Sequence, residues 1–295
     1  MVDIRKVQKT GNMHYVYLPT SWCKQNKITS NSNVSLDEGP SNELIIYPQI
    51  ITKQGKDLKL DIRTNKIDVI EKILMACYIN PMKSFRLDFD KNIDLSKLLT
   101  QKRLFNVDFI EIEKNAIFCE SNIAINNPSS LLNTLVRKIK ALLFLMINNY
   151  DVLAMEKYEE EVDKAKILID KAMITALSDA RLEKTRSIDL FYMTMIARSL
   201  ETMVDSLIII KSTEKEFLKS VLDLIEALHV ILETLPVDNE LSCRNAIGFI
   251  EKALNLEEPK LATQACYTKR IKKSIIRVSE VLIDWSITKK LEQKN

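Results

Sequence analysis

Two carboxylate pairs carry the clearest chemical spacing in the sequence. Glu159 and Asp163 stand four residues apart, as do Glu201 and Asp205, each within a run of helical periodicity. An i, i+4 spacing turns both carboxylates of a pair toward one helix face, where as like charges they destabilise an isolated helix by about 0.2–0.5 kcal/mol. Neighbouring antiparallel helices could bring all four together. Converging carboxylates form a hard-oxygen site suited to iron, manganese, magnesium or calcium in preference to zinc. The same spacing also occurs on solvated helix faces, so by itself it leaves both readings open.

Other chemistries are excluded by composition. The four glycines, Gly11, Gly39, Gly55 and Gly248, never reach GxGxxG or GxxxxGK spacing, which rules out a Rossmann or P-loop phosphate cradle. Cys23, Cys77, Cys119, Cys243 and Cys266 contain no CxxC pair, and the only histidines are His14 and His229. Zinc sites need clustered ligands, and ferritin-like di-iron bundles need two E-x-x-H motifs. Glu226 to His229 supplies one such motif, and the remaining histidine lies far away in an N-terminal strand. His229 therefore reads as a bundle residue. No Ser/His/Asp or Cys/His arrangement is available either, and the expectation is a protein that is not an enzyme.

These residues need elements to hold them. The chain has 295 residues, 46% of them hydrophobic and 28% charged, enough for two to three domains with a real core. So few glycines argue against an all-β fold, and the expected class is α+β, mainly α. Scattered cysteines in odd number suit a reducing interior. The charged start MVDIRKVQKT is no signal peptide, and the longest apolar run, Ala141 to Ile147, falls well short of the ~20 residues of a membrane span. A cytoplasmic protein without a membrane span is expected.

The net charge of +3 hides an asymmetry. Arg5, Lys6, Lys9, Lys24 and Lys27 face only Asp3 in the first thirty residues, whereas 156–164 is acidic and 269–294 is basic again. Three segments follow. Residues 1–50 read as a strand at Tyr15–Leu18 after the Gly11–Asn12 break, with His14 a packed or edge residue on it. A short helix capped by Ser21 runs to about Lys27, and strands follow at Val34–Leu36 and Glu43–Tyr47. So small a β unit cannot bury a useful core alone and should need a second copy.

Residues 56–120 alternate strands and helices: a strand at Leu58–Ile62, a helix from Lys66 to Asn80, a strand at Phe85–Phe89, a short helix at Leu95–Phe105, and a hairpin of Val107–Ile112 with Ala116–Cys119. This small α/β unit carries no chemical constellation and reads as a connector or dimerisation module. Residues 128–295 read as six helices, near 128–150, 156–180, 187–211, 214–235, 240–254 and 261–290. The third has a core stripe of Met193, Ile196, Leu200, Met203 and Leu207. Six helices could form two three-helix halves.

Two resemblances sharpen this reading. Arg5-Lys6-Val7-Gln8-Lys9-Thr10-Gly11, then Tyr15-Val16-Tyr17-Leu18-Pro19 and Ser21-Trp22, resemble the AbrB/SpoVT family of swapped-hairpin DNA-binding domains, here with Asn31-Ser32 where that family usually has Gly-Asp. The resemblance implies half of an interleaved β-barrel, a homodimer through the N-terminal domain, and contact with double-stranded DNA through Arg5, Lys6, Gln8 and Lys9. Glu159-Glu160-Glu161-Val162-Asp163-Lys164, with Ala176-Leu177-Ser178-Asp179 and Ala197-Arg198-Ser199-Leu200-Glu201-Thr202-Met203-Val204-Asp205, is similar to PhoU, the antiparallel helical-bundle regulator of phosphate uptake. It implies metal (iron, manganese or magnesium) at Glu159, Asp163, Glu201 and Asp205. The last helix, Arg270 to Asp284, reads Lys272 to Glu280 without such a pair, so metal is expected in at most half of the bundle.

The order of the segments resembles archaeal phosphate uptake regulators. The implied function is a DNA-binding transcriptional regulator of phosphate uptake. The alternatives are a dimeric scaffold that docks on a phosphate ABC transporter or signalling protein and, more remotely, a metal-storing bundle.

Overall fold

A computed structural model of the chain describes residues 4–38, 43–49, 56–90, 109–113, 115–120, 127–178, 185–210, 214–235, 239–259 and 265–292. It is mainly helical with small sheets and divides into two compact units, residues 1–54 and 55–295.

The first unit holds β1 (Gln8–Thr10), β2 (Met13–Tyr15), α1 (Thr20–Gln25), β3 (Ser35–Glu38) and β4 (Leu44–Tyr47). The strands form two separate antiparallel ribbons, β1–β2 and β3–β4, with no closed barrel among the described residues. The second strand lies earlier than the Tyr15–Leu18 expectation because Gly11 and Asn12 form a two-residue turn that pairs Thr10 with Met13. Gly11 supplies the positive φ of 62° which that turn demands. Ser21 is not the cap of α1: Pro19 occupies that position, and no side chain caps the helix.

At the other end of α1, Lys27 N–H donates to the Lys24 carbonyl and Ile28 N–H to that of Cys23, the Schellman pattern. Lys27 sits there at φ 56°, where glycine is the residue without strain. Lys27→Gly is expected to raise stability by up to about 1 kcal/mol, read as the shift in thermal unfolding.

The second unit begins with a mixed sheet of β5 (Lys56–Ile62), β6 (Met82–Phe89), β7 (Phe109–Glu113) and β8 (Ala116–Glu120), in order β5-β6-β8-β7. β5 and β6 run parallel, joined through α2 (Ile67–Ile79); the other pairs are antiparallel. Alternation places Phe85, Leu87, Phe89, Ile117 and Cys119 under α2, against Ile70, Leu74 and Cys77. The polar residues between them face outward, where Lys59 and Arg86 both bind Asp88 and hold its carboxyl below the usual range. Burial pushes the Cys77 thiol up and that of Cys119 to about 12, so neither is a thiolate at neutral pH. The helix expected at Leu95–Phe105 lies outside the described residues.

Six long helices follow: α3 (Pro128–Asn148), α4 (Val152–Ser178), α5 (Ser187–Ile210), α6 (Lys215–Thr234), α7 (Asn239–Leu254) and α8 (Ala265–Glu292). Asn127 caps α3 by accepting from Ser130 N–H at 3.0 Å, with Pro128 in the first turn. Asp151 accepts from Leu153 N–H at 3.0 Å, which starts α4 earlier than periodicity alone suggests. The expected stripe of α5, Met193, Ile196, Leu200, Met203 and Leu207, is buried throughout.

Each helix packs against two neighbours in the closed order α3-α4-α5-α8-α7-α6, and α3 also touches α5. The contacts close into one ring of six helices and do not separate two three-helix halves, since α5 packs on α8 more extensively than any pair within α3–α5 or α6–α8. α2 rests on α4, with Lys171 Nζ 4.2 Å from the centre of the Tyr78 ring.

Candidate functional site

α4 and α5 pack along their length. Asp163 on α4 meets Glu201 and Asp205 on α5, and seven residues further along α4, Asp170 meets Arg198. The two series run in opposite directions, so the helices are antiparallel. Three of the four expected carboxylates thus converge. One oxygen from each of Asp163, Glu201 and Asp205 lies within 4.8 Å of the others. Glu159, half-buried one turn earlier on α4, is outside that group.

Burial grades across the cluster. Asp163 is buried, Glu201 half-buried and Asp205 exposed, so the group opens to solvent at one side. Oxygen ligands stand about 2.0–2.6 Å from magnesium or calcium, which keeps two oxygens on one ion within about 5 Å of each other. The spacing here meets that limit with little movement, and three carboxylates suit a hard divalent or ferric ion. If the cluster holds Mn2+, Asp205→Asn is expected to weaken its binding at least about tenfold, whereas Glu159→Gln changes it less than about twofold. Calorimetric titration of the full chain reads both.

Asp170 extends the same face. It is buried and accepts from Arg198 Nε at 3.1 Å, with Lys166 Nζ 3.2 Å away. The sequence holds a signal for this register that periodicity misses: Asp163 and Asp170 are seven apart, as are Arg198 and Asp205. The last helix also differs from its expectation. Glu280 has a partner four residues on, at Asp284, so the E-x-x-x-D spacing does recur in α8. Both are exposed, and no second group of three metal-ligating side chains forms among the described residues. The E-x-x-H spacing on α6 is not assembled as a site, since Glu226 pairs with Lys140 at 2.6 Å and His229 faces Glu233 at 3.6 Å.

The N-terminal candidates Arg5, Lys6, Gln8 and Lys9 are all exposed. Gln8 and Lys9 are successive residues of β1 and point to opposite faces of the ribbon. Lys9 pairs across it with His14, which is exposed, and Gln8 pairs with Tyr15. One surface of the ribbon therefore presents Lys9 and His14, not Lys9 and Gln8.

Comparison of the chain with family models, with curated proteins and with solved structures found no match.

Proposed function

We propose that the protein is a phosphate-linked regulator that binds double-stranded DNA as a homodimer through residues 1–50 and controls phosphate uptake. The observation that carries this reading is the exposure of the N-terminal unit. None of its described residues is buried, and Ile4, Val7, Met13, Tyr17, Leu36 and Leu44 are each more than 60% exposed. A β unit without a core gains one by pairing with a second copy, as the swapped-hairpin resemblance implies. Two copies would present Arg5, Lys6 and Lys9 twice. The antiparallel packing of α4 on α5 within the helical bundle, with carboxylates across the two helices, supports the PhoU-like part of the reading. Metal on Asp163, Glu201 and Asp205 would be the bundle's cofactor.

Fluorescence anisotropy of the full chain on duplex DNA across a salt series tests the proposal. Binding that weakens steeply with salt supports it, and no binding by intact dimer removes the DNA-binding part. The scaffold reading keeps one specific observation in its favour. Leu177 at the end of α4 and Ile188, Phe191 and Met195 on α5 are exposed apolar residues, and a phosphate transporter or signalling protein could dock there. That reading predicts no duplex binding.

A further inference from the structure

A shallow groove runs between α6 and α7. Its floor is made by Ile231 and Phe249, both buried, and its wall by Val230, which is 53% exposed. Along α7 the groove is edged by Arg244, Gly248 and Lys252, at successive four-residue steps on one face. Among the described residues neither Arg244 nor Lys252 has an ion-pair partner, and no carboxylate lines the groove.

Gly248 is the informative residue. Glycine is the least favourable residue in a helix interior apart from proline. Packing within a protein can require it where a side chain would collide, yet a methyl group placed on Gly248 meets no atom within 4 Å beyond its chain neighbours and its own helix backbone. Nothing in the described fold needs this position to be bare. What the missing side chain does provide is open space over the helix backbone, one turn from a cation on either side.

We propose that this groove binds a small amphiphilic acid, an apolar chain ended by a carboxylate or phosphate. The head group lies over Gly248 between Arg244 and Lys252, and the chain lies on Val230, Ile231 and Phe249. The open volume of about 220 Å³ is below the ~300–1,000 Å³ of sites for drug-sized ligands, which makes the ligand small. Two cations without an ion-pair partner among the described residues select for negative charge, and the apolar floor selects against a bare inorganic ion. The proposal is independent of whether residues 1–50 bind DNA.

Isothermal titration of the full chain with octanoate, octyl phosphate, octanol and inorganic phosphate tests it. Octanoate or octyl phosphate is expected to bind, octanol at least about tenfold more weakly, and inorganic phosphate not detectably. Gly248→Leu fills the groove and is expected to abolish binding while thermal unfolding moves upward, since leucine is the better helix former. Arg244→Gln with Lys252→Gln is expected to weaken binding of the acid about tenfold or more and leave octanol unchanged. Failure of both acids to bind at millimolar concentration overturns the proposal. So does acid binding that survives unchanged in Gly248→Leu or in the Arg244/Lys252 variant.

Discussion

Asp189→Asn is expected to lower the free energy of unfolding by about 2–4 kcal/mol. Asp189 is only 6% exposed, in the first turn of α5, and its carboxylate accepts from four donors. Arg186 Nε and Nη2 donate at 2.7 and 2.9 Å, Trp285 Nε1 at 2.8 Å and Lys289 Nζ at 3.0 Å. Arg186 also pairs with Glu292, and Tyr192 stacks on Trp285 while its hydroxyl meets that of Thr288 at 2.8 Å. Asparagine keeps the shape but turns an amide donor toward donors and leaves two cations without their central anion. Each cation's side chain is 21% exposed, so water recovers part of the loss, which places the figure below that of a fully buried pair.

The same carboxylate sets an acid dependence. Burial alone would raise its pKa, but the hydrogen bonds from Arg186, Lys289 and Trp285 outweigh burial and hold it below the usual carboxylate range. A group with a depressed folded pKa contributes stability that is present above its unfolded value, about 3.9, and is lost as pH falls through the lower folded one. Urea midpoints should therefore fall below about pH 4 in the wild type, and more shallowly in Asp189→Asn.

Under the proposed DNA-binding function, Lys6→Glu with Lys9→Glu is expected to weaken duplex DNA binding by about a hundredfold or more at moderate salt. In a dimer the pair of substitutions removes four cations and adds four anions, leaving only Arg5 of the Arg5, Lys6 and Lys9 set in each copy. Phosphate contacts supply most of the affinity of such a protein, and each lost contact reduces the slope of log K against log salt by about 0.9. A wild type using all six cations has a slope near −5, and the variant should fall to about −2 or shallower. Because these side chains are exposed, the variant should remain folded, so the loss reads as lost contact with DNA. Equal affinity and equal slope for the two proteins would remove Lys6 and Lys9 from the interface.

Local pattern explains what was legible in advance. The α5 stripe could be read because burial of one helix face repeats every three to four residues, and Met193 to Leu207 obey that period without exception. The strand–helix–strand order of β5, α2 and β6 was legible for the same reason, since Phe85, Leu87 and Phe89 alternate with Ser84, Arg86 and Asp88. Helix starts were less so. The start of α3 at Pro128 was read, but Asp151 starts α4 earlier than expected by accepting from Leu153 and Ala154 N–H, which periodicity does not register. At the site, i, i+4 spacing placed Glu201 and Asp205 on one helix face, and they do lie close together. It could not tell that Asp163 would face them while Glu159 would lie a turn away, because that depends on the register between two helices. Asp189 was missed altogether, as its partners Trp285 and Lys289 lie 96 and 100 residues away along the chain.

That separation has a consequence for the newborn chain. The clamp joins the start of α5 to the end of α8, and Arg186 meets Glu292 across 106 residues. A ribosome adds about 5–20 residues per second, so α5 waits on the order of 5–20 s for the helix that covers it. Through that interval the side of α5 that α8 will cover has no cover from its own chain. Vectorial synthesis thus leaves α5 open along one edge until residue 292 clears the exit tunnel, and that edge is where a chaperone, or α8 of a neighbouring polysome-borne chain, would first find a place to bind.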